Sequence, residues 1–366
     1  MDCGRRNTKK YNFRCPDLRE LRKLAYFVLN PLDFKQRHEK LLSILYADVV
    51  EGLLSVVGQF YDPLYRCFSF PNYHLVPMLE EYTHLLGITV SNKVSFSGLK
   101  EIPIFHLIDE ALHLKKSEIE AHWVKKGGLF GLPSDFLIKE ATAFAQAGSV
   151  DAFEAIFVLL IYGLTLFPNI DAFVDVNAIR VFLIGNHVPT LLGDMYFSLH
   201  LRNSKDGGTI VCCILLLYKW FISHLPQTFA SVENKQCPQW CQRLMSLTND
   251  DIVWYDPCLS SLEIIDCCGK FFNVPLIGTQ RGNNYNPALA RRQLGFPLRD
   301  KPNNTQLEGL FYQEALEAYT LWVNKRALEL KMPYPCELPM SMVVVEPLTL
   351  PNQDVEELED ALAKMK

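Results

Sequence analysis

Between Asp33 and Asp62, apolar residues recur at spacings of three and four. Leu42, Leu45, Val49, Leu53, Val56, Val57 and Phe60 share one face, while Lys40, Ser43, Ala47, Glu51 and Ser55 fill the other. A period near 3.6 predicts a single amphipathic helix that ends near Asp62-Pro63. Further along, Ser117 with Glu120 three residues later predicts a capping box. Lys125 and Lys126 then supply a cationic last turn and Gly127-Gly128 the stop. Ser149 opens an apolar segment that runs through Phe167 and closes at Pro168. Gly207-Gly208-Thr209 opens another that closes at Pro226, with a short helix from Thr190 to Arg202 between them.

Strand signals are few. Lys93 to Ser97 is brief, and Met342 to Val345 is a β-branched run hemmed by Pro339 and Pro347. After Pro226 the chain turns rich in Pro, Asn and Gly, including Gly278 to Pro287, before helical pattern resumes from Leu307 to Lys331. The expected fold class is therefore mainly α: a large multi-helix domain with minor β and a turn-rich C-terminal part. Its expected divisions are a basic, partly disordered N-terminus (1–23), a helical domain (24–314, turn-rich from about 227), a helix (315–332), a proline-rich linker (333–351) and an acidic amphipathic end (352–366). In that end Val355, Leu358, Leu362 and Met365 take the spacing of a coiled-coil seam, a handle for self-association.

Composition narrows the function classes. The 366 residues are 49% hydrophobic and 21% charged, which places the chain among globular rather than disordered proteins. The net charge of -5 excludes a whole-protein electrostatic clamp for nucleic acid. That modest value hides an uneven distribution: eight cations against three acids in residues 1–23, and five acids against two lysines in 351–366. Arg5, Arg6, Lys9 and Lys10 at the front, with Arg291 and Arg292 beside Phe296, are the candidate nucleic-acid or partner contacts. The plainer readings are a solvated chain end and arginines that cap carbonyls or pair with acids.

Candidate chemistry is sparse. The first residues, MDCGRRNTKKYNFRCP, contain no apolar leader, so the eleven cysteines are expected to be reduced. Cys212-Cys213 and Cys267-Cys268 read as small hydrophobes. Cys237 and Cys241 stand as CxxxC with Cys258 downstream, but the second knuckle of a structural zinc site is missing. Ala155 to Ile170 and Thr209 to Tyr218 fall short of the roughly 18 to 20 apolar residues that span a bilayer, and read as buried helices rather than a membrane anchor. Phosphate-loop, dinucleotide, nucleophile-elbow, zinc-protease and aspartic-protease signatures are absent. Asp250-Asp251 after Thr248-Asn249 looks like cap chemistry rather than a magnesium site, and His74 and His84 look like ordinary hydrogen-bonded histidines. No catalytic residue, cofactor or metal ligand is assigned.

Three strings, MLEEYTHLLGI (78–88), GGTIVCCILLLYKWFISHLP (207–226) and NYNPALARRQLGFP (284–297), together resemble the plant mobile domain, also labelled aminotransferase-like, and in detail a legume-expanded family related to it. The likeness runs from about Phe13 to Phe311. It implies descent from transposable elements, a nuclear or other intracellular setting, and no carried-over catalytic residue. The pattern departs at Arg281, where a glycine pair is expected, and at the junction Tyr312 to Leu316, which is short, as in a truncated or mis-spliced element copy. The expected function is a non-catalytic helical module that binds protein. The alternatives are a nucleic-acid-binding protein of a mobile element and a metal- or thiol-dependent enzyme.

Overall fold

A computed structural model of the chain describes residues 11–63, 66–88, 105–185, 187–204, 209–226, 237–254, 274–279 and 282–285. All of them fall within the unit Met1–Pro335; a second unit is Cys336–Lys366. The described chain is mainly α. It opens with β1 (Asn12–Phe13), α1 (Arg19–Ala25), α2 (Pro31–His38), α3 (Leu41–Leu45) and α4 (Glu51–Gln59). Three short strands follow, β2 (Tyr61–Asp62), β3 (Cys67–Ser69) and β4 (His74–Leu75), and then α5 (Leu79–Leu86), α6 (Phe105–Leu112) and α7 (Lys116–His122). Next come β5 (Val124–Lys126), β6 (Leu129–Pro133), α8 (Ser134–Gln146), α9 (Val150–Ile161), β7 (Phe173–Asp175), α10 (Val176–Ile184) and α11 (Val188–Ser204). The remainder is β8 (Thr209–Ile210), α12 (Ile214–Ser223), α13 (Cys237–Ser246), β9 (Val274–Ile277) and β10 (Gly282–Tyr285).

Helix α9 is the axis of the core. From Ala152 to Ile161 every residue but Ala155 is buried, and the helix continues through one π turn, Tyr162–Leu166, to Phe167, just before the expected stop at Pro168. Such a helix has no polar face to show to water, so its neighbours must cover it on all sides. Among the described residues no helix is long and apolar enough to cross a membrane. Helix α12 is similarly enclosed, with Leu215, Leu216, Leu217, Trp220 and Phe221 buried.

The strands form small sheets at the edges of the helical body. β1 runs parallel to β8, with Asn12 opposite Thr209 and Phe13 opposite Ile210. β2, β3 and β4 form an antiparallel meander, and β5, β6 and β7 another. β9 pairs antiparallel with β10, which lies within the stretch Gly278 to Pro287 that was expected to be turn-rich. Their connection is anchored by Thr279, whose N–H and Oγ1 donate to the Asp194 carboxylate on α11 at 2.7 and 2.8 Å.

Several sequence expectations are corrected. The single helix expected from Asp33 to near Asp62 is three, the body of α2 followed by α3 and α4. The Leu45 carbonyl accepts from Arg22 Nε at 2.9 Å, Asp48 is drawn to the same guanidinium at 3.7 Å, and Val50 is extended before α4 begins. A contact with α1 thus outweighs the local period. At α7 it is Glu118, not Glu120, that reaches back, its Oε2 accepting from the Lys115 N–H at 3.1 Å, and Ser117 lies inside the helix. Lys125 and Lys126 belong to β5 rather than to a helical last turn. Gly127 and Gly128 are the β5–β6 hairpin turn, with φ of 58° and 88°. Two consecutive positive φ angles are what a type I′ hairpin turn demands, and glycine takes them without a side-chain clash. The third apolar helix starts at Ile214 rather than at Thr209, because Thr209 and Ile210 are held by β1 and Arg14 N–H donates to Ile210 O at 3.0 Å.

The sheet β5–β6–β7 was not anticipated and depends on one close approach. A Cβ on Gly131 in β6 would fall inside the envelope of the Val174 carbonyl oxygen and 2.8 Å from Asp175 Cα. Backbone cannot yield as a side chain can. Gly131→Ala is expected to destabilise the chain by about 3 kcal/mol, read as a lowered denaturant midpoint at unchanged slope. A midpoint equal to wild type would show that β6 and β7 do not pack this closely.

Candidate functional site

Local chemistry builds an apolar corner between α1 and α2. The end of α1 tightens, with Tyr26, Phe27 and Val28 N–H donating to Lys23, Leu24 and Ala25 carbonyls three residues back. Asn30 then caps α2, its side-chain oxygen accepting from Leu32 and Asp33 N–H at 3.1 and 3.4 Å, with Pro31 at the first helical position. Between these two fixed ends the segment directs Val28 inward and leaves Tyr26 86%, Leu29 81% and Leu32 72% exposed. Phe27 is part-exposed at the rim, and Tyr46, after α3, is exposed as well. Tyr26 lies one turn beyond Arg22, whose Nε donates to Leu45 O at the end of α3. Single exposed apolar residues are ordinary, but a contiguous group with polar surroundings marks an interaction surface.

The corner stands on a rigid base. Phe27 meets Phe153 of α9 edge-on at 6.2 Å, Phe153 stacks on Phe157 at 5.5 Å, and the buried Phe34 of α2 leans on Phe157 at 5.9 Å. Glu154, between those two phenylalanines, accepts from Arg37 Nε at 2.9 Å and Nη2 at 2.6 Å, and from His38 Nε2 at 3.0 Å. Burial pulls the His38 imidazole below its usual range, the Glu154 charge pushes it up, and Arg37 pulls it down again. The Glu154 pairing raises Arg37 further above its already high value. Around the rim, Arg19 pairs with Asp17 and Lys23 with Glu20.

A second constellation is enclosed. Glu81 of α5 is buried, and its Oε2 accepts from Trp220 Nε1 at 2.6 Å and from Met78 N–H at 3.3 Å. His224 lies with Nε2 3.0 Å from Glu81 Oε1, an off-axis ion-pair contact, while Nδ1 donates to Val253 O at 2.8 Å. Burial pulls the His224 imidazole down, but the Glu81 charge and the two acceptors more than offset it, so its pKa is raised. A carboxylate and an imidazole in contact are the raw material of acid–base catalysis. Here both are about 7% exposed and closed in by Trp220 and the Val253 segment, so the pair works as a bolt between α5 and α12.

The sequence-predicted residues fall elsewhere. Arg5, Arg6, Lys9, Lys10, Arg291 and Arg292 lie outside the described residues, as do residues 352–366, Cys258, Cys267-Cys268 and Gly207-Gly208. Of the described front cations, Arg14 donates to Asn169 O at 2.7 Å and Arg22 to Leu45 O, so both serve the fold. Cys212 and Cys213 are buried, with burial pushing the Cys213 thiol up to about 12. Among the described residues no group of three or more His, Cys, Asp or Glu is placed to hold a metal ion. Cys241 instead donates to Met245 Sδ at 3.8 Å. Asp251 closes a capping box with Thr248, its Oδ2 accepting from the Thr248 N–H at 2.8 Å, as cap chemistry requires. The corner was missed, although the run YFVLNPL, apolar on both sides of an Asn-Pro cap, contained the signal.

A mainly α-helical protein with small edge sheets, a closed polar bolt and an open apolar corner is the class these residues define. The chain belongs to the family described as Domain of unknown function (DUF7745), whose profile matches residues 18–328, a span that includes both the corner and the bolt. Comparison with curated proteins and with solved structures finds no match.

Two outcomes follow for the bolt. Trp220→Phe keeps one aromatic ring but removes the donor to Glu81 and part of the indole volume, and should cost at least about 2 kcal/mol in a denaturant melt. A cost near zero would show that Glu81 finds another donor. Because His224 has a folded pKa above its unfolded value of about 6.5, its stabilisation is complete below that pH and is lost as pH rises through the folded value. The wild-type midpoint should therefore fall more than that of His224→Gln between about pH 6 and pH 8.5. Parallel profiles would contradict the pairing.

Proposed function

We propose that the chain is a non-catalytic helical module that works by binding protein, derived from a transposable element and related to the plant mobile domain. The observation that carries the docking role is the corner: large apolar side chains held outward by a capped turn on an aromatic and ionic base. Preorganisation of this kind lowers the ordering cost of binding. The closed Glu81–His224 contact favours the non-catalytic reading, since this acid–base pair faces Trp220 rather than solvent.

Two of the three strings that carry the resemblance meet at the same bolt. Glu81 belongs to the first of the three strings and Trp220 and His224 to the second, so two segments 139 residues apart meet through one carboxylate. The first string is a helix ending at Gly87 in the left-handed conformation, and the second contains α12. We read the fold as a large multi-helix domain followed by a turn-rich C-terminal part.

The test uses full-length chain immobilised in nuclease-treated cell extract, compared with the variant Tyr26→Ser/Leu29→Ser/Leu32→Ser. Wild type is expected to retain proteins that the variant loses, with the same circular dichroism spectrum for the two chains because all three side chains are exposed. Recovery unaffected by the triple change contradicts the docking role. Binding to duplex or single strands that falls steeply with salt would favour the nucleic-acid alternative.

A further inference from the structure

We propose that the occupant of the Tyr26–Leu32 corner is the same corner of a second copy of this chain. This rests on the protein-docking reading and names its partner. The first argument is area. Tyr26, Leu29 and Leu32 are largely open, with Phe27 partly so. At close to 200 Å² for a fully open large side chain they offer on the order of 550 Å² of mostly apolar surface. The largest patch on an ordinary monomer is about 300 to 600 Å², and one side of a standard interface is about 800 Å². One corner therefore supplies most of one side of a stable dimer.

The second argument is charge. Four cations around the corner are paired within their own chain: Arg19 with Asp17 at 2.6 Å, Lys23 with Glu20 at 2.8 Å, Arg22 with Asp48 at 3.7 Å and Arg37 with Glu154 at 2.6 Å, while Asp33 and Lys35 of α2 add one charge of each sign. The rim presents no dominant sign. A nucleic acid or a strongly charged peptide finds no counter-charge on these groups, whereas an identical surface meets no repulsion. The third argument is symmetry. A two-fold contact needs one self-complementary patch rather than two. Tyr26, Leu29 and Leu32, all exposed within one seven-residue stretch, give each copy the same aromatic and aliphatic side chains to present to the other. Buried at an interface centre, aromatic and aliphatic anchors of this kind carry most of the binding energy.

Sedimentation equilibrium of the reduced, nuclease-treated full chain from about 1 to 100 μM is the test. Wild type is expected at the mass of two copies. The Tyr26→Ser/Leu29→Ser/Leu32→Ser chain is expected to dissociate about 100-fold more readily or worse, with an unchanged circular dichroism spectrum. Leu29→Asp alone, which places a charge at the centre, provides a second variant should the triple one fold poorly. A wild-type chain that stays a single copy across the range overturns the proposal, and so does a dimer that both variants leave intact. A single-copy chain whose triple variant still loses protein recovery from extract overturns self-association while the docking reading stands.

Discussion

A carboxylate on a fully enclosed helix must find donors, and on α9 that carboxylate is Glu154. Leaving it without partners in a dry core costs far more than a surface ion pair returns. Arg37 and His38 meet the demand together, and both come from α2, more than a hundred residues earlier in the chain. Their engagement fixes α2 against α9 in one rotation. With α2 so fixed, Phe34 reaches Phe157, the Asn30 cap turns the chain, and Leu29 and Leu32 have no inward option. The open apolar corner is thus a consequence of satisfying a buried acid.

Glu81 imposes the same condition at the other side of the core. It sits on α5 and takes its donors from α12 and from its own cap, with His224 completing the charge balance. The two acids differ in outcome. Around Glu81 the partners come from buried helices, and the result is a closed joint. Around Glu154 the partners sit on a surface helix whose guanidinium is 45% exposed, and the result is a surface feature held from beneath. Chemistry of one kind therefore produces a structural bolt in one place and a displayed surface in the other.

Much of the fold was legible in local pattern. Ser149 before an apolar run ending at Pro168 located α9, and Thr248 with its acids marked a cap, because both signals act within a few residues. Cys212 and Cys213 in an apolar run read correctly as core. Apart from the α7 cap, which shifted by two residues within its own turn, the failures were cases where a distant partner decided. Nothing near Leu45 announces that Arg22 will take its carbonyl and break the helix, and nothing near Gly127 announces that β6 will pair with β7 after α8 and α9 have intervened. Of the sites, the acidic and basic residues that looked available by composition were set aside for capping and pairing where described. The corner escaped notice because an exposed Leu and a buried Val look alike in a hydrophobicity pattern; only the turn at Asn30 sorts them.

The central claim is that the corner is prebuilt by the Glu154 tie. Amide hydrogen exchange in wild type and Glu154→Gln tests it most directly, since exchange reports local opening separately from global unfolding. The account predicts that amides of residues 26–38 exchange markedly faster in the variant, while those of α12 keep their wild-type protection. Unchanged exchange at 26–38, or an equal loss of protection throughout the described helices, would contradict it.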